Sequence, residues 1–303
     1  MINANKAKLQ SFYQGNLQYE IPFFQRAYVW SEENWTIFWD HLISELEAYE
    51  RGENSEHFIG TIITKQKESR NLSENVVELI DGQQRLTTIS IFLKALSDTV
   101  TGELTNLNKS LEGLLWFEDS HGKRHYRMRH SRIDAPNFIR VMESPETASE
   151  DETSSIIQAY LYFQEKLRDH TDQSRDMLKQ VLLHKIPVIS MLLDKDDDEQ
   201  EIFDTINSLG VRLTIGELLK NYLFKEDSLV ALYESKWLAV FENDEEQVEY
   251  WGTERSSGRV KRDNMELLLY CFLIIETKKE IRLERLFKEY KAYLKDKTVD
   301  EKK

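Results

Sequence analysis

One dipeptide, Asp81-Gly82, does more than any other feature to limit how this chain can fold. Residues Asn75 to Ile80 read as a strand. From Gln83 to Val100, Leu86, Ile89, Phe92, Leu93 and Leu96 recur at helical spacing. Strand, turn and helix follow one another with no spare residues, so the unpaired amides that open the helix must face the turn. Chain breakers are scarce elsewhere: four prolines and eleven glycines in 303 residues argue against a fold of many short strands and tight turns. The expected class is α+β, dominated by helix.

Further elements follow from the same patterns. Ile21 to Trp30 reads as an extended aromatic segment, and Ser31 caps a helix that carries Trp35, Phe38, Trp39, Leu42, Leu46 and Tyr49 to about Glu50. His57 to Thr64 is β-rich, and Lys65 to Glu74 is a polar loop. Residues 101–183 are mostly helical, and Lys185 to Leu193 is a strand marked by a proline. Asp196 to Asn207 is expected as a helix stopped by Gly210, and the capping box at Thr214 and Glu217 starts another through Lys220 and Phe224. Residues 226–303 are helical and end in a charged tail. Cys271, inside the nine-residue apolar run Leu267 to Ile275, is expected to be a buried core thiol.

With 40 basic against 54 acidic residues, the formal charge of −14 disfavours generic coating of nucleic acid. The basic concentration is His121 to Arg132, with five Lys/Arg and three His; Arg124, Arg127 and Arg129 are its candidate DNA contacts. The plainer account is an exposed charged strand. His121, His125 and His130 lack the cysteine or convergent carboxylate that zinc would need. The chain contains no P-loop motif and no Gly-x-Ser-x-Gly elbow. A lone cysteine fits a reducing compartment, the longest apolar run is short of the ~20 residues that span a bilayer, and the amino terminus has no apolar signal core. A cytoplasmic protein without a membrane partner is expected.

The candidate chemistry centres on Asp81 to Thr88. A helix opening behind a glycine is a ready anion site. Arg85 in the first turn opposes the helix dipole, which a bound anion or Asp81 would offset. Asp81 could hold a divalent cation or orient water, and Gln83 and Gln84 could bind phosphate, base or water. Alternatively, Asp81 is a cap and Arg85 a surface residue. Gln25 and Arg26 lie among aromatic residues, a composition that suits a nucleotide or simply a packed core with a snorkelling arginine. Asn207 and Lys220 could line the same pocket, although an Asn before a glycine also ends helices for local reasons.

Taken together, Ile21-Pro22-x-x-Gln25-Arg26-x-Tyr28-x-Trp30, His57-Phe58-Ile59-Gly60, Ile80-Asp81-Gly82-Gln83-Gln84-Arg85-Leu86-Thr87-Thr88 and Phe203-x-x-Ile206-Asn207-Ser208-x-Gly210 resemble the GmrS-like N-terminal domain of GmrSD-type modification-dependent restriction systems. The resemblance implies a small ParB/sulfiredoxin-like mixed sheet, with core segments at 1–100 and 184–225, a helical insert at 101–183 and a helical region at 226–303. It also implies P-loop-independent binding and hydrolysis of a nucleoside triphosphate, coupled to restriction of modified phage DNA. On that basis Asp81, Gln84 and Arg85 are the expected catalytic residues, with Asp81 also the metal ligand. Gln25, Arg26, Tyr28, Gly82, Gln83, Thr87, Asn207 and Lys220 are the expected nucleotide contacts. A divalent cation, magnesium foremost, is the implied cofactor, and a nuclease domain or subunit the implied partner. The rival readings are a sensor that binds nucleotide or modified DNA without turnover, and a DNA-binding fragment of a nuclease.

Overall fold

The computed structural model describes residues 3–53, 58–67, 75–100, 105–131, 133–149, 153–193, 214–224, 227–257, 260–295 and 297. The chain divides into two compact units, Met1–Asp196 and Asp197–Lys303. The expected α+β class holds. The expected core completion at 184–225 straddles the division between the units. The expected helix from Asp196 to Asn207, and the whole block Phe203 to Gly210, lie outside the described residues.

The first unit is built on a mixed six-stranded sheet. Its strands are β1 (Asn3–Lys8), β2 (Leu17–Glu20), β3 (Thr61–Gln66), β4 (Asn75–Asp81), β7 (Met128–Arg129) and β8 (Pro187–Leu193), in the order β1-β8-β3-β4-β2-β7. β5 (Trp116–Glu118) and β6 (Arg124–Tyr126) form a separate antiparallel pair. β8 pairs antiparallel with β1 and parallel with β3, so the strand after the helical stretch returns to the sheet between two strands from the start of the chain. β3 begins at Thr61, later than the β-rich run from His57 suggests. Gly60 has φ +110°, outside the extended region, although its carbonyl still accepts from the Ile189 amide of β8 at 3.1 Å.

The span expected to be a helical insert also supplies an edge strand. β7 pairs parallel with β2, Tyr19 opposite Met128, and both side chains are buried. The helices of the unit are α1 (Glu32–Glu50), α2 (Gln83–Thr99), α3 (Thr105–Leu115), α4 (Ala135–Glu143), α5 (Ser155–Leu167) and α6 (Asp172–His184). α2 is the central one, with every residue from Leu86 to Leu96 buried. It packs on α5, while α1 packs on α6. Phe38, Phe92 and Phe163 meet edge to face with ring centroids 5.5–5.7 Å apart. The buried stretch Leu86 to Leu96 fixes the strand-helix turn at the start of α2 to the core of the unit.

The second unit contains the helices Ile215–Leu223, Asn264–Thr277 and Leu286–Lys295 and a hairpin of Glu254–Ser257 with Val260–Asp263. The capping box is present: Thr214 Oγ1 accepts from the Glu217 amide at 3.1 Å, and Glu217 Oε2 accepts from the Thr214 amide at 2.9 Å. Cys271 corrects an expectation, because its thiol is exposed. Leu269 and Leu273 turn inward on the same helix. Cys271 is two residues from each and therefore about 200° round the helix. Among the described residues, no helix is long and apolar enough to cross a membrane.

Candidate functional site

Gly82 caps α2 at φ +96°, and a Cβ there would lie 3.1 Å from both the Thr61 carbonyl oxygen and Ile62 Cγ1. The turn therefore needs glycine both for its left-handed backbone and for its closeness to β3. The first hydrogen bond of the helix runs from the Leu86 amide to the Gly82 carbonyl at 2.9 Å, so the amides of Gln83, Gln84 and Arg85 precede it. Arg85 folds back across the turn: its Nη2 donates to Asp81 Oδ2 at 2.8 Å and to the Thr61 carbonyl at 2.7 Å. Asp81 thus offsets the arginine that opposes the helix dipole. Arg85 Nε is buried without a hydrogen-bond partner among the described residues. Gly60 lets the backbone lie against this guanidinium, since a Cβ there would be 3.2 Å from Cζ.

Gln83 and Gln84 are committed to the backbone of the aromatic segment. Gln83 Nε2 donates to the Arg26 carbonyl at 2.7 Å, and Gln84 Nε2 donates to the Ala27 carbonyl at 3.1 Å. Gln84 Oε1 accepts from the amides of Val29 at 2.9 Å and Trp30 at 3.3 Å. Two adjacent glutamines on α2 hold the backbone of Arg26 to Trp30 beside the turn. Tyr28 and Thr87 belong to the interior. The Tyr28 hydroxyl bonds Thr88 Oγ1 at 2.6 Å and accepts from Trp35 Nε1 at 2.8 Å, and burial pushes its pKa up. Gln25 is half-buried and Arg26 is exposed.

The remaining expected contacts fall in other parts of the chain. Lys220 is in the second unit, buried, with Nζ 2.6 Å from Glu242 Oε1; Glu242 also accepts from Tyr233 and Trp237. Asn207 lies outside the described residues. Arg124 stacks on Trp116 at 3.9 Å, and Arg129 is exposed near Glu20. Arg127 is interior: it is 6% exposed and donates to the carbonyls of Gly113 and Gly15 at 3.0 and 2.7 Å. These three arginines do not make one surface.

The profile of the GmrSD restriction endonuclease N-terminal domain matches residues 9–224, which is most of the chain. The chain belongs to this family. Membership of the GmrSD N-terminal family ties it to a restriction system, a nuclease-associated machinery acting on DNA. No curated protein sequence matches it closely enough to add a relative.

Two further groups at this GmrSD-type turn escaped the sequence analysis. Asp134 Oδ2 accepts from the Tyr28 amide at 2.9 Å, adding a second anchor to the aromatic segment. His130 Nδ1 lies 3.9 Å from Asp134 Oδ2, and His130 Nε2 lies 3.4 Å from Thr87 Oγ1. Both residues stand in His130-Ser131-Arg132-Ile133-Asp134, where the arginines made the stretch read as basic surface. The four-residue spacing of His and Asp was the available signal. Burial pushes the Asp134 carboxyl up to about 6 and holds His130 down to about 3, so the imidazole is neutral at pH 7.

Because the folded-state value for Asp134 is raised from 3.8, the ionised carboxylate is the disfavoured form in the fold. Its penalty is absent below about pH 4 and complete above about pH 6, where it amounts to about 3 kcal/mol. Asp134→Asn keeps an acceptor for the Tyr28 amide and removes the charge. The variant should be more stable than the wild type at pH 7.5 by several degrees of unfolding midpoint, with the gap closing by about pH 4. A gap independent of pH would contradict this account. The variant-to-wild-type comparison isolates Asp134 from His130, whose own contribution is present above 6.5 and lost as pH falls towards 3.

Proposed function

We propose that this restriction-system domain binds a nucleoside triphosphate and hydrolyses it at the Asp81–Arg85 turn. One observation carries the reading. Arg85 is held by Asp81 and the Thr61 carbonyl at the start of α2, while the exposed Arg26 sits on a segment that Gln83 fastens to the same helix turn. Two guanidinium groups from different segments and a helix N-terminus suit a polyphosphate. Asp81 is the carboxylate placed to orient water or to help hold a divalent cation. Among the described residues there is no cluster of three or more metal-ligating side chains. That donor set fits magnesium bound mainly through phosphate and water with one carboxylate, and a bound cation would neutralise charge on the phosphoryl oxygens.

A second reading has an observation of its own. With both glutamines engaged by backbone, few side chains remain for hydrolysis, which favours a sensor that binds nucleotide without turnover. Phosphate release by the purified chain separates the two. Release should require magnesium and stop with a chelator, whereas binding without release would establish the sensor. Arg26→Ala should weaken nucleotide binding about tenfold by calorimetry while leaving the unfolding midpoint in place, since the side chain is exposed. Unchanged affinity would remove Arg26 from the site.

A further inference from the structure

A pocket enclosing about 170 Å³ adjoins the Arg85 guanidinium within the first unit. It is formed where the aromatic segment, the first turns of α1, the residues before β3 and α2 converge. Trp30, Ile37 and Phe58 stand around it, and Asn34, His41 and Arg85 supply its polar groups. Ile37 and Phe58 are 49% and 48% exposed, so both present apolar surface at the mouth of the pocket.

We infer that this pocket seats the base of the nucleotide, an assignment that rests on the nucleotide reading above. Two physical arguments choose the base over the phosphates. The walls are mainly apolar, with Phe38, Ile59 and Ile89 completing them, and a phosphate buried among such groups would lose its hydration without replacement. A planar ring loses little and gains stacking on Trp30 and Phe58. The polar groups also point to a ring with acceptors at its edge. Asn34 Oδ1 accepts from the Ser31 amide at 3.1 Å in the α1 cap, which leaves the donor half of the amide for a ligand. Arg85 also lines the pocket, and its Nε is buried without a hydrogen-bond partner among the described residues. Ring nitrogens and carbonyl oxygens of a base are acceptors of this kind.

Charge fits the same arrangement. Arg85 both lines the pocket and bonds Asp81, so a ring in the pocket would lie beside the start of α2. Lys6 Nζ lies 5.6 Å from the Phe58 ring centroid and adds a cation at the rim.

The test compares a nucleoside triphosphate with inorganic tripolyphosphate, which has the charge without the ring, by titration calorimetry on the full chain with magnesium. The wild type should bind the nucleotide at least about tenfold more tightly than tripolyphosphate. Phe58→Ala should abolish that preference by weakening nucleotide alone. Ile37→Trp, at an exposed position on the rim, should fill the pocket and do the same if the first variant folds poorly. Equal wild-type affinity for the two ligands would overturn the base pocket while leaving the phosphate site standing. Equal loss of both ligands in folded variants would also overturn it. No binding of either ligand by the wild type would overturn the nucleotide reading and the pocket assignment with it. Ranking the four common nucleotides then identifies the preferred base.

Discussion

Asp81→Asn should lower nucleoside triphosphate hydrolysis by about 100-fold or more while the protein remains folded. Asp81 and Arg85 are 27% and 24% exposed, so the pair is partly buried and the replacement must keep an acceptor for the arginine. An amide of the same shape can still accept from Arg85 Nη2, and Arg85 keeps its 2.7 Å bond to the Thr61 carbonyl. What asparagine lacks is the negative charge needed to orient water as a base or to help hold a cation. Gly82 and the buried α2 set the turn independently of Asp81, so the unfolding midpoint should stay within a few degrees. The paired readouts are steady-state phosphate release and thermal unfolding. Undiminished turnover would remove Asp81 from the chemistry, and lost folding with intact specific activity in the folded fraction would make it structural.

Arg127→Ala should cost about 3 kcal/mol of stability, the largest loss expected among Arg124, Arg127 and Arg129. Its guanidinium is buried between the Gly15 and Gly113 carbonyls, with Leu17 at 3.5 Å, and its backbone donates to the Leu115 carbonyl and accepts from the Tyr19 amide. Truncation leaves buried acceptors without a donor and opens a void beneath the β2–β7 edge. Arg124→Gln and Arg129→Gln should change the unfolding midpoint little, because Arg124 and Arg129 are exposed. Chemical denaturation of the three single variants is the measurement. If Arg127→Ala were as stable as the other two, the buried placement would be wrong.

The strand, the Asp81-Gly82 turn and the helix through Thr99 were legible from the chain alone because their signals are local. A change of apolar period, a glycine able to take φ +96° and the Ser31 cap need no distant partner to be read. The family blocks were legible for the same reason, as contiguous residue types, and the profile over 9–224 agrees with them.

What lay between those blocks was decided by packing across long sequence separations. Nothing local says that Gln84 grips Ala27, Val29 and Trp30, that Asp134 holds Tyr28 from more than a hundred residues away, or that Arg127 turns inward while its neighbours stay out. Cys271 errs in the same direction: a uniformly apolar run hides which side of the helix meets the core. By itself the sequence determined the strand-turn-helix unit at Asp81-Gly82, the helix behind Ser31 and the family. The tertiary structure alone decided which polar side chains face that turn and which support it, because a buried amide, carboxylate or guanidinium must find its partner wherever the fold brings one.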